Sequence, residues 1–308
     1  MFSPSGALIE ESLLDHAYIQ LQALGFSVQE MPETRLRSER FAGDEICRAN
    51  SFYQATLIPT SSVLMATRGG YGISRLLHQL NFSKLAFHLN KAEHILCGHS
   101  DITGLQLALL QSGAKPETLL HGPMACFDFG PEIGVNSLTA GYFLNAIQQR
   151  SVNIQWNIYD LPLNQKGTQF QFNGPVWGGN LSLITSLLAT PWFPVIENGI
   201  LILEDVNEPA YKIERMLLQL LHSGILEKQK AIVLGNFCES KPSSHDNGYT
   251  LKSAAQFVQK QLKEVPILMN FPFGHCTPKA CWFQGGEGQL NISIGQGGEV
   301  AFLSQCLR

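Results

Sequence analysis

From residue 7 to residue 25 the apolar side chains Leu8, Leu13, Leu14, Ile19, Leu21 and Leu24 recur close to a helical period, and Gly25 ends the run. A short strand is expected at 27–31, followed by a helix near 44–56, a strand at 63–66 and a helix near 72–80. A strand at 94–97 and helices at 102–112 and 136–149 complete the first half. Strands separated by helical patterns predict βαβ units and a parallel sheet, because a parallel partner needs a long crossover. Between 151 and 176 polar and apolar positions alternate, punctuated by Asn153, Asn157, Asn164, Gly167 and Asn173. This segment reads as a linker carrying one or two edge strands.

The second half begins at Trp177-Gly178-Gly179-Asn180. It predicts a helix near 180–189, a strand at 200–203 and an amphipathic helix over 208–221 built on Ile213, Met216, Leu217, Leu220 and Leu221. A strand at 231–234, a helix near 250–263 and a strand at 266–269 follow, then two strands near 289–294 and 299–303 around a Gly-rich turn at 295–298. The pattern as a whole is α/β, with an N-terminal α/β domain at 1–150, a linker at 151–176 and a C-terminal domain at 177–308.

Composition narrows the function. The 308 residues suit two domains at roughly 150 residues each. With 44% hydrophobic and 15% charged residues, disorder and a coiled coil are excluded. A net charge of −4 without any run of Lys or Arg argues against a nucleic-acid partner. No stretch reaches the roughly 18 apolar residues that span a bilayer. The opening MFSPSGALIEESLLDH has no basic region, and Glu10, Glu11 and Asp15 interrupt its apolar residues, so no secretory leader is expected. The seven cysteines form no CxxC pair and fit reduced, cytoplasmic thiols better than a disulfide framework.

Four segments place reactive residues after an expected strand, where α/β folds build their sites. In Gly98-His99-Ser100-Asp101, Ser100 stands on a strand-to-helix turn beside the amides of a new helix. The turn resembles a nucleophile elbow, although Ile102 replaces the second glycine of GxSxG, and a simple helix cap is the competing reading. In Arg68-Gly69-Gly70-Tyr71-Gly72 the glycines would let backbone amides approach an oxyanion, or would merely turn the chain. Arg68 could meet a carboxylate or form a surface ion pair. Glu204 and Asp205 end an apolar strand, where a carboxylate can orient a histidine or start a helix. His275 lies in the loop Phe273-Gly274-His275, and a zinc site with Cys276 and Cys281 has the wrong spacing. A serine, a glutamate and a histidine on strand-end loops are the parts of an activated nucleophile.

The blocks SPSG (3–6), RFAG (40–43), RGGYGISRLL (68–77), GHSDITGLQLALL (98–110), HGPM (121–124), WGGNLSLI (177–184), ENGILILEDVNEPAYKIERMLLQL (197–220) and FGH (273–275) run nearly end to end. In this order they resemble the LD-carboxypeptidases, a serine peptidase family that also contains microcin C self-immunity hydrolases. Phe2 stands ahead of SPSG where alanine is more usual. The likeness points most to the cytoplasmic murein tetrapeptide carboxypeptidase branch. The resemblance implies Ser100 as nucleophile, Glu204 as triad carboxylate and His275 as base, with an oxyanion hole from the Asp101 and Gly70 amides. It implies an N-terminal domain similar to class I glutamine amidotransferases, a smaller β-rich swivelling C-terminal domain, a homodimer, and no metal or organic cofactor. The implied reaction frees the D-alanine that ends murein tetrapeptide, with Arg68 a candidate for the substrate carboxylate. Activity would need neutral His275 and would fall below about pH 6, near the free imidazole pKa. Three alternatives stay open: an immunity-type hydrolase of adenylates, an amidotransferase-like enzyme (which would want Cys at position 100), and a non-catalytic muropeptide-binding protein.

Overall fold

The computed structural model of the chain describes residues 1–158, 169–238, 243–295 and 298–307. The first half runs α1 (Glu11–Ala23), α2 (Glu45–Ala55), β1 (Val63–Met65), α3 (Phe82–Ala92), β2 (Ile95–Gly98), α4 (Ile102–Gln111), β3 (Leu119–His121) and α5 (Ser137–Gln149). The second half runs β4 (Ser151–Ile158), β5 (Gln169–Asn180), α6 (Leu181–Ser186), β6 (Ile200–Val206), α7 (Ala210–His222), β7 (Ala231–Cys238), α8 (Leu251–Gln261), β8 (Ile267–Leu268), β9 (Trp282–Phe283), β10 (Gly286–Gly295) and β11 (Gly298–Cys306).

Two sheets result. The first has the order β1-β2-β3-β9, with β1 to β3 parallel and β9 returning from the second half to pair antiparallel with β3. The second has the order β4-β11-β10-β5-β6-β7-β8, antiparallel from β4 to β5 and parallel from β5 to β8. The parallel strands are apolar on both faces because both are covered. Leu64, Leu96, Leu201 and Leu203 enter one core, with Phe52, Leu85, Leu105 and Leu217 of the helices. Their strand neighbours Met65, Ile95, Ile200 and Ile202 enter the other, with Leu14 and Phe143. Each core draws on both halves of the chain. In β4, by contrast, buried and exposed residues alternate, as one-sided packing requires.

Several expectations need correction. The helix near 72–80 is a single 3-10 turn at Ile73–Arg75 followed by further turns. Its first amide, Ile73 N–H, donates to the Asp101 carboxylate at 2.9 Å, and the Gly72 carbonyl accepts from Arg48 at 3.0 Å. Ile73, Leu76 and Leu77 still reach the core, so their helical spacing is met without a helix. Residues 27–31 join no ladder. Helix α3, which no sequence pattern above predicts, is capped by Asn81, whose side chain accepts from Lys84 N–H, and buries Phe82, Leu85, Ala86 and Leu89. In 151–176, β4 and much of β5 form twofold-alternating ladders with the C-terminal hairpin. Asn164 and Gly167 lie outside the described residues, as does the centre of the turn at 295–298.

Candidate active site

The parallel strands of both sheets deliver their carboxyl ends to one region. At the end of β2, Ser100 has φ +62°, a left-handed conformation costing a residue with a Cβ about 1–2 kcal/mol. The turn has the sharp geometry expected of a nucleophile elbow, and Ser100 is largely buried. Asp101 leads into α4, but its side chain makes no capping bond, so the simple cap reading does not hold for it. Its carboxylate instead braces two other loops, bonding to the Ser5 hydroxyl and accepting from Ile73 N–H at 2.9 Å. Burial pushes the Asp101 pKa up to about 6, against the opposing pull of those bonds and of Arg48. The buried Arg48 guanidinium ties the same loops from below, donating to Pro4 O at 3.1 Å and Gly72 O at 3.0 Å.

The glycine loop closes tightly over the elbow. A methyl group on Gly69 would stand 2.9 Å from Ser100 Oγ, so only glycine fits there. The Gly69 carbonyl accepts from Gly6 N–H at 3.2 Å.

Glu204 and His275 come from the second half and meet: His275 Nδ1 lies 3.0 Å from Glu204 Oε2. Glu204 is fully buried at the end of β6 and opposite Asn180 of β5, whose Nδ2 donates to Glu204 Oε1 at 3.2 Å. A register shift between Leu203 and Asp205 lets two consecutive carboxylates turn inward. Asp205 then accepts from Asn180 Nδ2 at 3.0 Å, Ser182 N–H at 2.9 Å and Ser182 Oγ at 2.6 Å. Burial raises the Asp205 pKa, opposed by the Ser182 bond. Gly274, at φ +112°, passes so close that a methyl group there would lie 2.9 Å from Glu204 Oε2.

A buried ammonium links the two halves beside this pair. Lys279 Nζ, fully enclosed, has three neighbours to match its three N–H donors: His99 Nε2 at 2.8 Å, Gly274 O at 2.6 Å and Asp128 Oδ1 at 3.4 Å. His99 Nδ1 sits 2.9 Å from Gly122 O, so Nδ1 carries the proton and Nε2 accepts from Lys279. Burial first, and then the charge of Lys279, hold the His99 pKa well below the usual imidazole range. The His99 ring is 5.2 Å from that of His275, and Phe127 lies 5.8 Å from each. His275 thus packs against His99, the residue preceding Ser100, while among the described residues no hydrogen bond joins Ser100 Oγ to His275. Arg68 occupies the far side of the glycine loop, where Nη1 donates to Ala7 O at 2.8 Å.

This arrangement pairs a strained serine elbow with a carboxylate-oriented imidazole, parts suited to acyl transfer. Residues 1–120 match the family model of the LD-carboxypeptidase N-terminal domain, and residues 173–290 that of the LD-carboxypeptidase C-terminal domain. The chain belongs to the LD-carboxypeptidase family. This LD-carboxypeptidase is similar to the crystal structure of muramoyltetrapeptide carboxypeptidase from Oxalobacter formigenes, with a TM-score of 0.85 and 34% identity over 99% of this chain and 97% of that one. It is 28% identical to the murein tetrapeptide carboxypeptidase of Pseudomonas aeruginosa over 92% of this chain and 89% of the relative. The microcin self-immunity protein MccF, in complex with glutamyl sulfamoyl guanosine, shares the fold at a TM-score of 0.82 and 21% identity over 100% of this chain and 96% of that one. Among the described residues of the LD-carboxypeptidase, no helix is long and apolar enough to cross a membrane.

Sequence reasoning did not single out Asn180, Lys279, Asp128 or His99, nor the bracing by Arg48 and the Asp101 side chain. Asn180 carried a signal in Trp177-Gly178-Gly179-Asn180, since an asparagine after a strand caps a helix, and it does accept from Leu183 N–H at 3.1 Å. Lys279 and Asp128 carried none, because their meaning lies in partners distant along the chain.

Proposed function

We propose that this LD-carboxypeptidase is a serine hydrolase that releases the C-terminal D-alanine of murein tetrapeptide, cutting its bond to the L-centre of the preceding diamino acid. The observation that carries the reading is the Glu204–His275 hydrogen bond beside the left-handed Ser100 turn. With Nδ1–H directed to Glu204, the lone pair of His275 is on Nε2, the atom a general base uses. His275 takes the proton of Ser100 as Oγ attacks the terminal peptide carbonyl. The oxyanion forms between the Asp101 and Gly70 amides. Neither amide donates to a backbone acceptor among the described residues. Because the Gly69 carbonyl is turned toward Gly6, its trans peptide turns Gly70 N–H the opposite way. The imidazolium, stabilised by Glu204, protonates the departing amine, and D-alanine leaves. Water, deprotonated by His275, then splits the acyl ester and restores Ser100.

Residues 1–150 supply the nucleophile and the oxyanion donors, and residues 177–308 supply Glu204 and His275. The substrate class is supported by the names of the Oxalobacter and Pseudomonas relatives. A cytoplasmic homodimer that needs neither metal nor organic cofactor is the assembly the family resemblance favours.

The test offers the purified protein murein tetrapeptide and, separately, a peptidyl-adenylate. D-Alanine release from the first is expected. Cleavage of the adenylate without D-alanine release transfers the reading to an immunity-type hydrolase, and binding without turnover to a muropeptide-binding protein.

A further inference from the structure

Behind the glycine loop lies a cleft of about 190 Å³ lined by Arg37, Arg40 and Arg68, the backbone from Gly6 to Ile9, Gly70 and Tyr71. No aspartate or glutamate lines it. The arginine ion pairs among the described residues belong to Arg35, Arg48 and Arg75, leaving these three cations without a carboxylate. Arg68 is half-buried and spends one donor on Ala7 O, so most of its guanidinium fork is free. Its burial, and the like charge of Arg40, weigh against its own charged form. Arg40 leans over the Tyr71 ring at 5.7 Å, which sets its guanidinium at the mouth of the cleft. A half-buried cation among other cations is an unfavourable arrangement that a bound anion relieves.

The cleft shares a wall with the proposed chemistry. A methyl group on Gly70 would sit 3.6 Å from Arg68 Nη2 and 3.7 Å from Gly6 Cα, and Gly70 N–H is the proposed oxyanion donor. The cleft and the proposed oxyanion position therefore share Gly70, the cleft on its Gly6 side and the amide N–H turned to the other.

We propose that the Arg37–Arg40–Arg68 cleft is a carboxylate subsite that holds one of the substrate's carboxylates during turnover. The inference rests on the murein tetrapeptide reading above and deepens it. Such a peptide offers a carboxylate on the terminal D-alanine, one on its glutamyl residue and, where the diamino acid is diaminopimelate, one on its far centre. All three share the chemistry that an arginine fork recognises in bidentate fashion.

The experiment measures tetrapeptide binding by calorimetry on the full-length Ser100→Ala protein, with and without Arg40→Gln and Arg37→Gln. Turnover by the corresponding variants with Ser100 intact is measured in parallel. Each charge-assisted contact removed is expected to weaken binding about 10-fold, and to raise KM about equally while kcat stays within about 3-fold. Three peptide analogues identify the carboxylate: a C-terminal amide, a lysine-for-diaminopimelate peptide and a glutamine-for-glutamate peptide. The analogue for which Arg40→Gln no longer matters lacks the group that the cleft reads. Unchanged binding and KM for every peptide in both arginine variants overturns the subsite. If the Ser100→Ala parent binds no tetrapeptide at all, the substrate reading itself fails, and the subsite fails with it.

Discussion

Ser100 sits where a side chain is strained and useful at once. Its φ of +62° suits glycine better than serine. Ser100→Gly is therefore expected to raise stability by about 1 kcal/mol while abolishing turnover. Thermal unfolding beside a D-alanine assay checks this, and a variant less stable than the wild type would show that the turn carries no strain. The residues of the candidate triad were legible because each follows a strand in a short, recognisable motif. The residues around them were not. Asn180 orients Glu204 through a side-chain amide 24 positions away in sequence, and Asp101 reads in sequence as a helix cap while its carboxylate reaches the loops at Ser5 and Ile73. Hydrogen bonds between distant segments leave no local spacing to detect.

At the scale of elements, Lys279 joins the loop after β8 to the loop after β2. It holds Gly274, the neighbour of His275, and His99, the neighbour of Ser100, while Asp128 balances its charge. Lys279→Met is expected to destabilise the fold by about 3–5 kcal/mol, since it leaves a buried carboxylate without its cation. Adding Asp128→Asn is expected to recover part of that loss, because the pair goes together. Urea denaturation of the two single variants and the double variant checks the coupling, and strictly additive losses would rule the pairing out. Element prediction failed where local pattern and tertiary demand part company. The spacing of Ile73, Leu76 and Leu77 imitates a helix, but the backbone there closes with i to i+3 bonds, Arg75 N–H to Gly72 O at 3.2 Å and Leu76 N–H to Ile73 O at 2.8 Å, and stops after one 3-10 turn. Strands β3 and β9, of three and two residues, are too short to show a period.

The whole molecule is organised by two cores that cross from one half of the chain to the other. The α/β class was legible because buried parallel strands read as continuous apolar runs. The extent of β5 was not, because the strand changes partners, antiparallel to β10 on one side and parallel to β6 on the other. The fold also carries a pH-dependent term at its centre. Burial raises the Asp101 pKa to about 6, above the ordinary aspartate range. A carboxyl group with a raised folded pKa contributes stability below its unfolded pKa and loses it as pH rises through the folded value. Asp101→Asn should therefore gain relative to the wild type by about 2 kcal/mol between pH 4 and pH 7. Denaturation across that range checks the sign, and a stability difference independent of pH would contradict it.

The measurement closest to the centre of this account is D-alanine release from murein tetrapeptide by the wild type beside Ser100→Ala. Release by the wild type is expected, with a loss of about 10⁴-fold or more in the variant, as when a nucleophile is removed from a catalytic triad. Comparable release by both proteins would contradict it, leaving the reaction in place but taking the nucleophile away from Ser100.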